Sequence, residues 1–207
     1  MEASERYPSK PEAFGYKLTW LAIKDADPFE LLHELNYQQW PVYSANWQGG
    51  LDKVYHYNAT FICPAIDGWT FVISPAIRDL SDENTLVFLR QLSIKFTDVQ
   101  CYSNHRVASY AAWGRFLDGR PIRLFSTADG VTSINEGPLT RTEIRLIAER
   151  NKAIKENKWD YSTEKANSDS LNDVDEVMEM AGQWSINPQT LDEQPETFEL
   201  GLLIIPH

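Results

Sequence analysis

Apolar and polar positions alternate most clearly between Val99 and Ile134. The pattern there reads as three short antiparallel strands joined by two turns, Asp118-Gly119 and Ala128-Asp129-Gly130. Asp-Gly pairs supply the positive φ angles that tight hairpins demand, so this meander organises the rest of the chain. With a two-residue loop at Asp118-Gly119, uninterrupted pairing sets Leu117 against Arg120 and Arg115 against Ile122. The same register pairs Gly114 with Arg123, Trp113 with Leu124 and Ala112 with Phe125, which sends Arg115 and Arg123 to opposite faces. Neither face is purely polar, so the sheet needs cover on one side and partial cover, or a partner, on the other.

Upstream, the run from Tyr16 to Ile23 has the β-branched and aromatic content of a strand. Asp27-Pro28-Phe29-Glu30 follows as an N-cap with proline at the first helical position, opening a short helix to about Leu35. Gln48-Gly49-Gly50 breaks the pattern, and two strands, 57–63 and 69–74, flank a turn ending in Asp67-Gly68. Ser81-Asp82-Glu83 opens a helix whose apolar face is Leu86, Leu89, Leu92 and Phe96.

Downstream, Thr140-Arg141-Thr142-Glu143 is a capping box at the head of a basic helix reaching about Asn157. A further helix begins at Asp173, with Val174, Val177, Met178 and Ala181 on one face, and ends at Trp184. Asn187-Pro188 caps one more short turn, and residues 201–205 are either a last strand or a packed end. The expected fold is therefore one α+β domain over residues 15–207. It has a mainly antiparallel sheet of about six strands, helices packed largely on one face, a loose arm at 1–14 and a flexible acidic linker near 160–171.

Composition supports one globular domain: 207 residues with 43% apolar content can bury a sizeable core. The first residues lack a basic-then-apolar leader and no apolar run is long enough to span a bilayer, so the expected setting is the cytoplasm, without a membrane partner. Two cysteines, Cys63 and Cys101, read as buried free thiols.

The net charge of −11 has a location: from Asp160 to Leu200 there are 11 acidic residues against one basic. Just upstream, Arg141, Arg145, Arg150, Lys152, Lys155 and Lys158 outnumber Glu143, Glu149 and Glu156. Either the two segments neutralise each other, or the acidic one docks on a basic partner. Overall acidity argues against a nucleic-acid binder, which needs clustered Lys and Arg.

Candidate chemistry is sparse. Asn104-His105-Arg106 lies between a strand and the meander, where a loop can present side chains from a rigid scaffold. Trp69, His105 and Arg106 are the candidate pocket residues, and nine aromatics between Tyr37 and Phe71 offer further lining. Cys101 precedes His105 by four residues, which on an extended strand is about 13 Å, too far for a thiol–imidazole pair. The histidines lack zinc-ligand spacing, and no cofactor or metal is expected.

Several local patterns resemble an uncharacterised, largely actinobacterial family of bacterial proteins. They are Ile66-Asp67-Gly68-Trp69, Asp98-Val99-Gln100 with Asn104-His105-Arg106-Val107, Trp113, Asn135-Glu136-Gly137 with Thr140 to Glu143, Ala181 to Pro188, and Gly201-Leu202-Leu203. That family has no assigned activity, so the resemblance bears on architecture and implies no chemistry. The acidic stretch around 160–175 departs from its pattern.

The functional expectation is a non-catalytic protein-binding protein, such as an immunity protein that covers the basic active site of a cognate bacterial toxin. Its acidic surface would come from Asp169, Asp173, Asp175, Glu176 and Glu179, or from the acidic tail. The alternative is a small-molecule enzyme or ligand-binding protein with its pocket near His105, Arg106 and Trp69.

Overall fold

In the computed structural model, residues 8–105, 109–129, 131–156 and 174–206 are described. One antiparallel sheet of nine strands runs through them, more than the six expected. The strands are β1 (Leu18–Lys24), β2 (Val42–Ala45), β3 (Thr60–Ile62), β4 (Trp69–Ile73), β5 (Asp98–His105), β6 (Tyr110–Leu117), β7 (Arg120–Ala128), β8 (Val131–Glu136) and β9 (Gly201–Ile204). Their spatial order is β2-β9-β3-β4-β1-β5-β6-β7-β8. The meander is four strands, β5 to β8, and β9 returns from the carboxyl-terminal end to insert between β2 and β3. β2 escapes sequence reading because four residues are too few to show a period.

Five α-helices accompany the sheet: α1 (Pro28–Glu34), α2 (Trp47–Tyr57), α3 (Glu83–Phe96), α4 (Arg141–Lys155) and α5 (Val174–Trp184). They cover both faces, not one. On the first face Trp20, Phe71, Tyr102, Trp113 and Phe125 pack with residues of α2, α4 and α5. On the second, Leu21, Ile23, Val72, Val99, Phe116 and Leu124 pack with Leu31 of α1 and Leu89, Leu92 and Phe96 of α3. Large apolar side chains alternate onto both sides of the central strands, and each set needs its own cover.

The expected caps of α1 and α4 form as hydrogen bonds. Asp27 accepts from the Phe29 and Glu30 amides at 2.9 and 3.0 Å. Thr140 and Glu143 cap each other, amide to side chain, at 2.7 and 3.1 Å. The expected break at Gln48-Gly49-Gly50 is instead the first turn of α2, capped by Asn46 on the Gly49 amide at 2.9 Å. Gly50 sits where a Cβ would meet the Phe61 ring at 2.6 Å, so its glycine serves close helix–sheet packing.

The hairpin register also differs. Asp118 and Gly119 make the expected turn, with φ of 47° and 78°. Leu117 pairs with Arg120 and Phe116 with Pro121, but then Arg115 pairs with Arg123, Gly114 with Leu124 and Trp113 with Phe125. Ile122 is the extra residue of a β-bulge, and one extra residue turns every later side chain to the other face. Arg123 thereby joins Arg115 and Trp113 on the α4–α5 side.

Within the amino-terminal stretch, Ser9 bridges Thr197 and Phe14 is buried edge-on to both Trp20 and Phe71. Residues 160–171, expected to be a flexible acidic linker, lie outside the described residues. Among those described, no helix is long and apolar enough to cross a membrane.

Candidate functional site

His105 ends β5, beside the start of β1, and lines a cavity of about 420 Å³ open to solvent. Lys17, Arg78, Asp79 and Asp82 also border it. The loop between β4 and α3 forms one wall and is held by its own side chains. Asp79 accepts from the Ser81 amide at 2.8 Å, and Asp82 caps α3 on the Asn84 amide at 2.9 Å while accepting from Arg78 at 3.3 Å. A second cavity of about 400 Å³ adjoins, sharing Ile77, Arg78 and Asp82 and lined further by Leu35, Tyr37 and Phe88.

Trp69 is not part of this site. It pairs with Lys24 at one end of β1, whereas Leu18, at the other end, pairs with Asn104 next to His105. Six residues of strand separate those ends, about 20 Å. Lys24 places its ammonium 5.1 Å from the Trp69 ring centroid instead. Arg106 lies outside the described residues.

Cys101 supplies no nucleophile. It is buried in the α1–α3 core, and burial, reinforced by the negative charge of Asp79, pushes its thiol up to about 12. Cys63 is likewise raised by burial. Only the thiolate attacks disulfides, so both cysteines of the native protein should resist Ellman's reagent at pH 8 and react once guanidinium unfolds it. Prompt native labelling of either thiol would contradict the packing described.

The basic helix and the acidic one engage each other. Arg150 and Glu176 form a buried ion pair at 2.7 Å, with side chains 3% and 9% exposed. Arg145 reaches both Glu149, at 3.0 Å, and Glu179. Of the expected partner-binding residues, Glu176 is thus turned inward, Glu179 is half-buried in an ion pair, and Asp175 is exposed. Asp169 and Asp173 lie outside the described residues.

Arg115 and Arg123 also have separate carboxylates. Arg115 binds Asp98 through two nitrogens, at 3.2 and 2.7 Å. Arg123 binds Glu143 at 2.8 Å and Asn135 at 2.7 Å, fully buried. Although neighbours on one face, they form no shared anion site.

Unpaired acidity sits further on, at residues 192–200. After the 3₁₀ helix Pro188–Glu193 the chain runs outside the sheet before entering β9. Leu191 is fully buried, and Ser9 and Thr197 exchange two backbone hydrogen bonds at 2.9 and 3.0 Å, so the segment is pinned along its length. Along this stretch Asp192, Glu193, Glu196 and Glu199 are exposed, and among the described residues none forms an ion pair. Phe198, 66% exposed, and Leu200, 39% exposed, stand in the same strip. Sequence reading merges this strip with α5 into one acidic block, because only the placement of Arg145 and Arg150 distinguishes the two.

Among the described residues no group of three or more His, Cys, Asp or Glu side chains is placed to hold a metal ion. No family model, no curated protein and no solved structure matches this chain.

Proposed function

We propose that this chain is a non-catalytic protein-binding protein that docks residues 192–200 over a basic surface of its partner. The observation that carries this reading is Phe198, two-thirds exposed on a segment held at several points, beside four carboxylates that form no ion pair with the described residues. An aromatic ring in water is a ready anchor, and surrounding charges select the partner and speed encounter. Pinning the strip before binding lowers the entropy lost on association. A bacterial toxin with a basic active site fits this chemistry, which makes the chain an immunity protein acting in the cytoplasm. Of the expected residues on α5, Asp175 is exposed but is not part of this strip, and Glu176 and Glu179 hold α5 on α4.

The test is calorimetric titration of the full chain with the purified product of the adjacent gene, at 50 and 300 mM NaCl. A one-to-one complex should form at low salt and weaken about tenfold or more at high salt, since exposed charges are screened. Phe198→Ala should weaken it about 30-fold, the scale of losing an interface anchor. Absence of a complex at low salt contradicts the assignment of that partner, and an unaltered affinity in Phe198→Ala contradicts the surface.

A further inference from the structure

We propose that residues 8–16 form a strap that holds the docking strip in its binding path, so that partner affinity is controlled from the amino-terminal arm. This rests on the docking reading of residues 192–200 and assigns the regulation of that same surface.

The centre of the strip has little else to hold it. Glu196, Phe198 and Glu199 are exposed, so burial does not fix their course. Among the described residues, only two backbone hydrogen bonds tie 196–199 to another segment, and both involve Ser9. The Ser9 amide donates to the Thr197 carbonyl at 2.9 Å, and the Thr197 amide donates to the Ser9 carbonyl at 3.0 Å. The bond from the Glu199 amide to the Thr197 hydroxyl, also 3.0 Å, stays within the strip. Upstream, Leu191 is buried and its carbonyl accepts from the Gln194 amide, and downstream the chain enters the sheet at Gly201. Between these fixed ends the clasp at Ser9 lies one residue from Phe198, the ring on which the docking reading stands.

The strap has its own anchor. Phe14, 2% exposed, meets Trp20 and Phe71 edge-on, with ring centroids 5.7 and 5.6 Å away. Its amide donates to the Pro188 carbonyl at 3.3 Å, and the Gln189 side chain donates to the Tyr16 hydroxyl. Between Phe14 and Ser9, Pro11 is buried, and its ring and that of Pro8 restrict the backbone. The arm therefore runs from the 3₁₀ helix to the strip and is tied at both ends. With the clasp closed, the strip is presented in one conformation. With it open, residues 196–199 regain backbone freedom that binding must then remove, and the apparent affinity falls with the fraction of chains held in place.

Two variants at one position separate the clasp from its surroundings. Ser9→Pro deletes the donor to Thr197 and leaves the core untouched. Ser9→Ala keeps both backbone bonds and is the control, since the Ser9 hydroxyl has no hydrogen-bond partner to lose. Hydrogen exchange of the full chain, with no partner present, should show the Thr197 amide about tenfold or more faster in Ser9→Pro, with β5 and β6 at the parent rate. The melting temperature should fall by no more than about 3 °C. Calorimetric titration with the purified product of the adjacent gene should then show about tenfold weaker binding by Ser9→Pro and parent affinity in Ser9→Ala. Unchanged exchange at Thr197 in Ser9→Pro overturns the strap, whether or not a partner binds. Faster exchange with undiminished affinity overturns its control of docking. A parent chain that forms no complex at low salt contradicts the assignment of that partner and this control with it, while the exchange result still decides whether the clasp exists.

Discussion

Glu143→Ala should lower the stability of the fold by about 3–5 kcal/mol, the usual cost of stranding a buried charge. Glu143 is fully buried at the head of α4, and one of its oxygens accepts from Trp113 Nε1 at 3.0 Å and Arg123 Nε at 2.8 Å. The other oxygen accepts from the Thr140 amide at 2.7 Å, closing the capping box. Alanine would leave the Arg123 guanidinium, 2% exposed, without its counter-charge, and the Thr140 amide without its acceptor, although the Thr140 side chain would still cap the amide of residue 143. Arg123 would keep Asn135 and the Glu136 carbonyl, at 2.7 and 2.9 Å, which is too little to balance a desolvated cation. Urea denaturation measures the loss. The double variant Arg123→Met, Glu143→Leu should be appreciably more stable than the sum of the single losses implies, because it removes both charges together. A Glu143→Ala protein within about 1 kcal/mol of the parent would show that this network does not hold α4 to the sheet.

Gly137→Ala should cost about 2–4 kcal/mol through the backbone. Gly137 has a φ of +83°, where an L-residue pays about 1–2 kcal/mol. A Cβ at this position would also lie 2.2 Å from the Ile122 carbonyl oxygen, adding the usual overpacking loss of about 1–3 kcal/mol. The contact is specific to the bulge. Ile122 is the unpaired residue of β7, and its carbonyl comes against the chain where β8 turns towards α4. Glycine at 137 lets the bulge form, and the bulge points Arg123 at Glu143. For a chain of this size the melting temperature should fall by about 5–15 °C. An unchanged melting temperature would mean that the two segments are further apart than described.

Local signals carried a good part of this architecture. The Asp27 cap with Pro28, the Thr140–Glu143 box and the Asp118-Gly119 turn each act within a few residues, and all three form. The α+β class follows from them and from the apolar periods. Long-range facts were out of reach. The bulge at Ile122 has no glycine of its own to announce it, so an even register placed Arg123 on the wrong face. α2 was hidden because Gly49 and Gly50 look like a break until Phe61 is seen packed against the second. Cover on both sides of the sheet depends on where α2, α4 and α5 fold back, which no local period encodes.

The candidate sites divide in the same way. His105 is the last residue of β5, within the meander and not on a loop before it, and borders a cavity, whereas Trp69 lies at the far end of β1. The acidic block was visible as composition, but its partition was not. Glu176 and Glu179 meet Arg150 and Arg145, while Asp192, Glu193, Glu196 and Glu199 meet no cation among the described residues.

That partition is the centre of the functional account, and one comparison tests it most directly. The adjacent gene's product is titrated at low salt against the parent chain, Glu196→Lys with Glu199→Lys, and Asp175→Lys. The strip variant should lose affinity about tenfold or more and show a flatter salt dependence, while Asp175→Lys, on α5, should change affinity no more than about twofold. Full affinity in the strip variant, together with loss of binding in Asp175→Lys, would contradict the account and return the docking surface to α5.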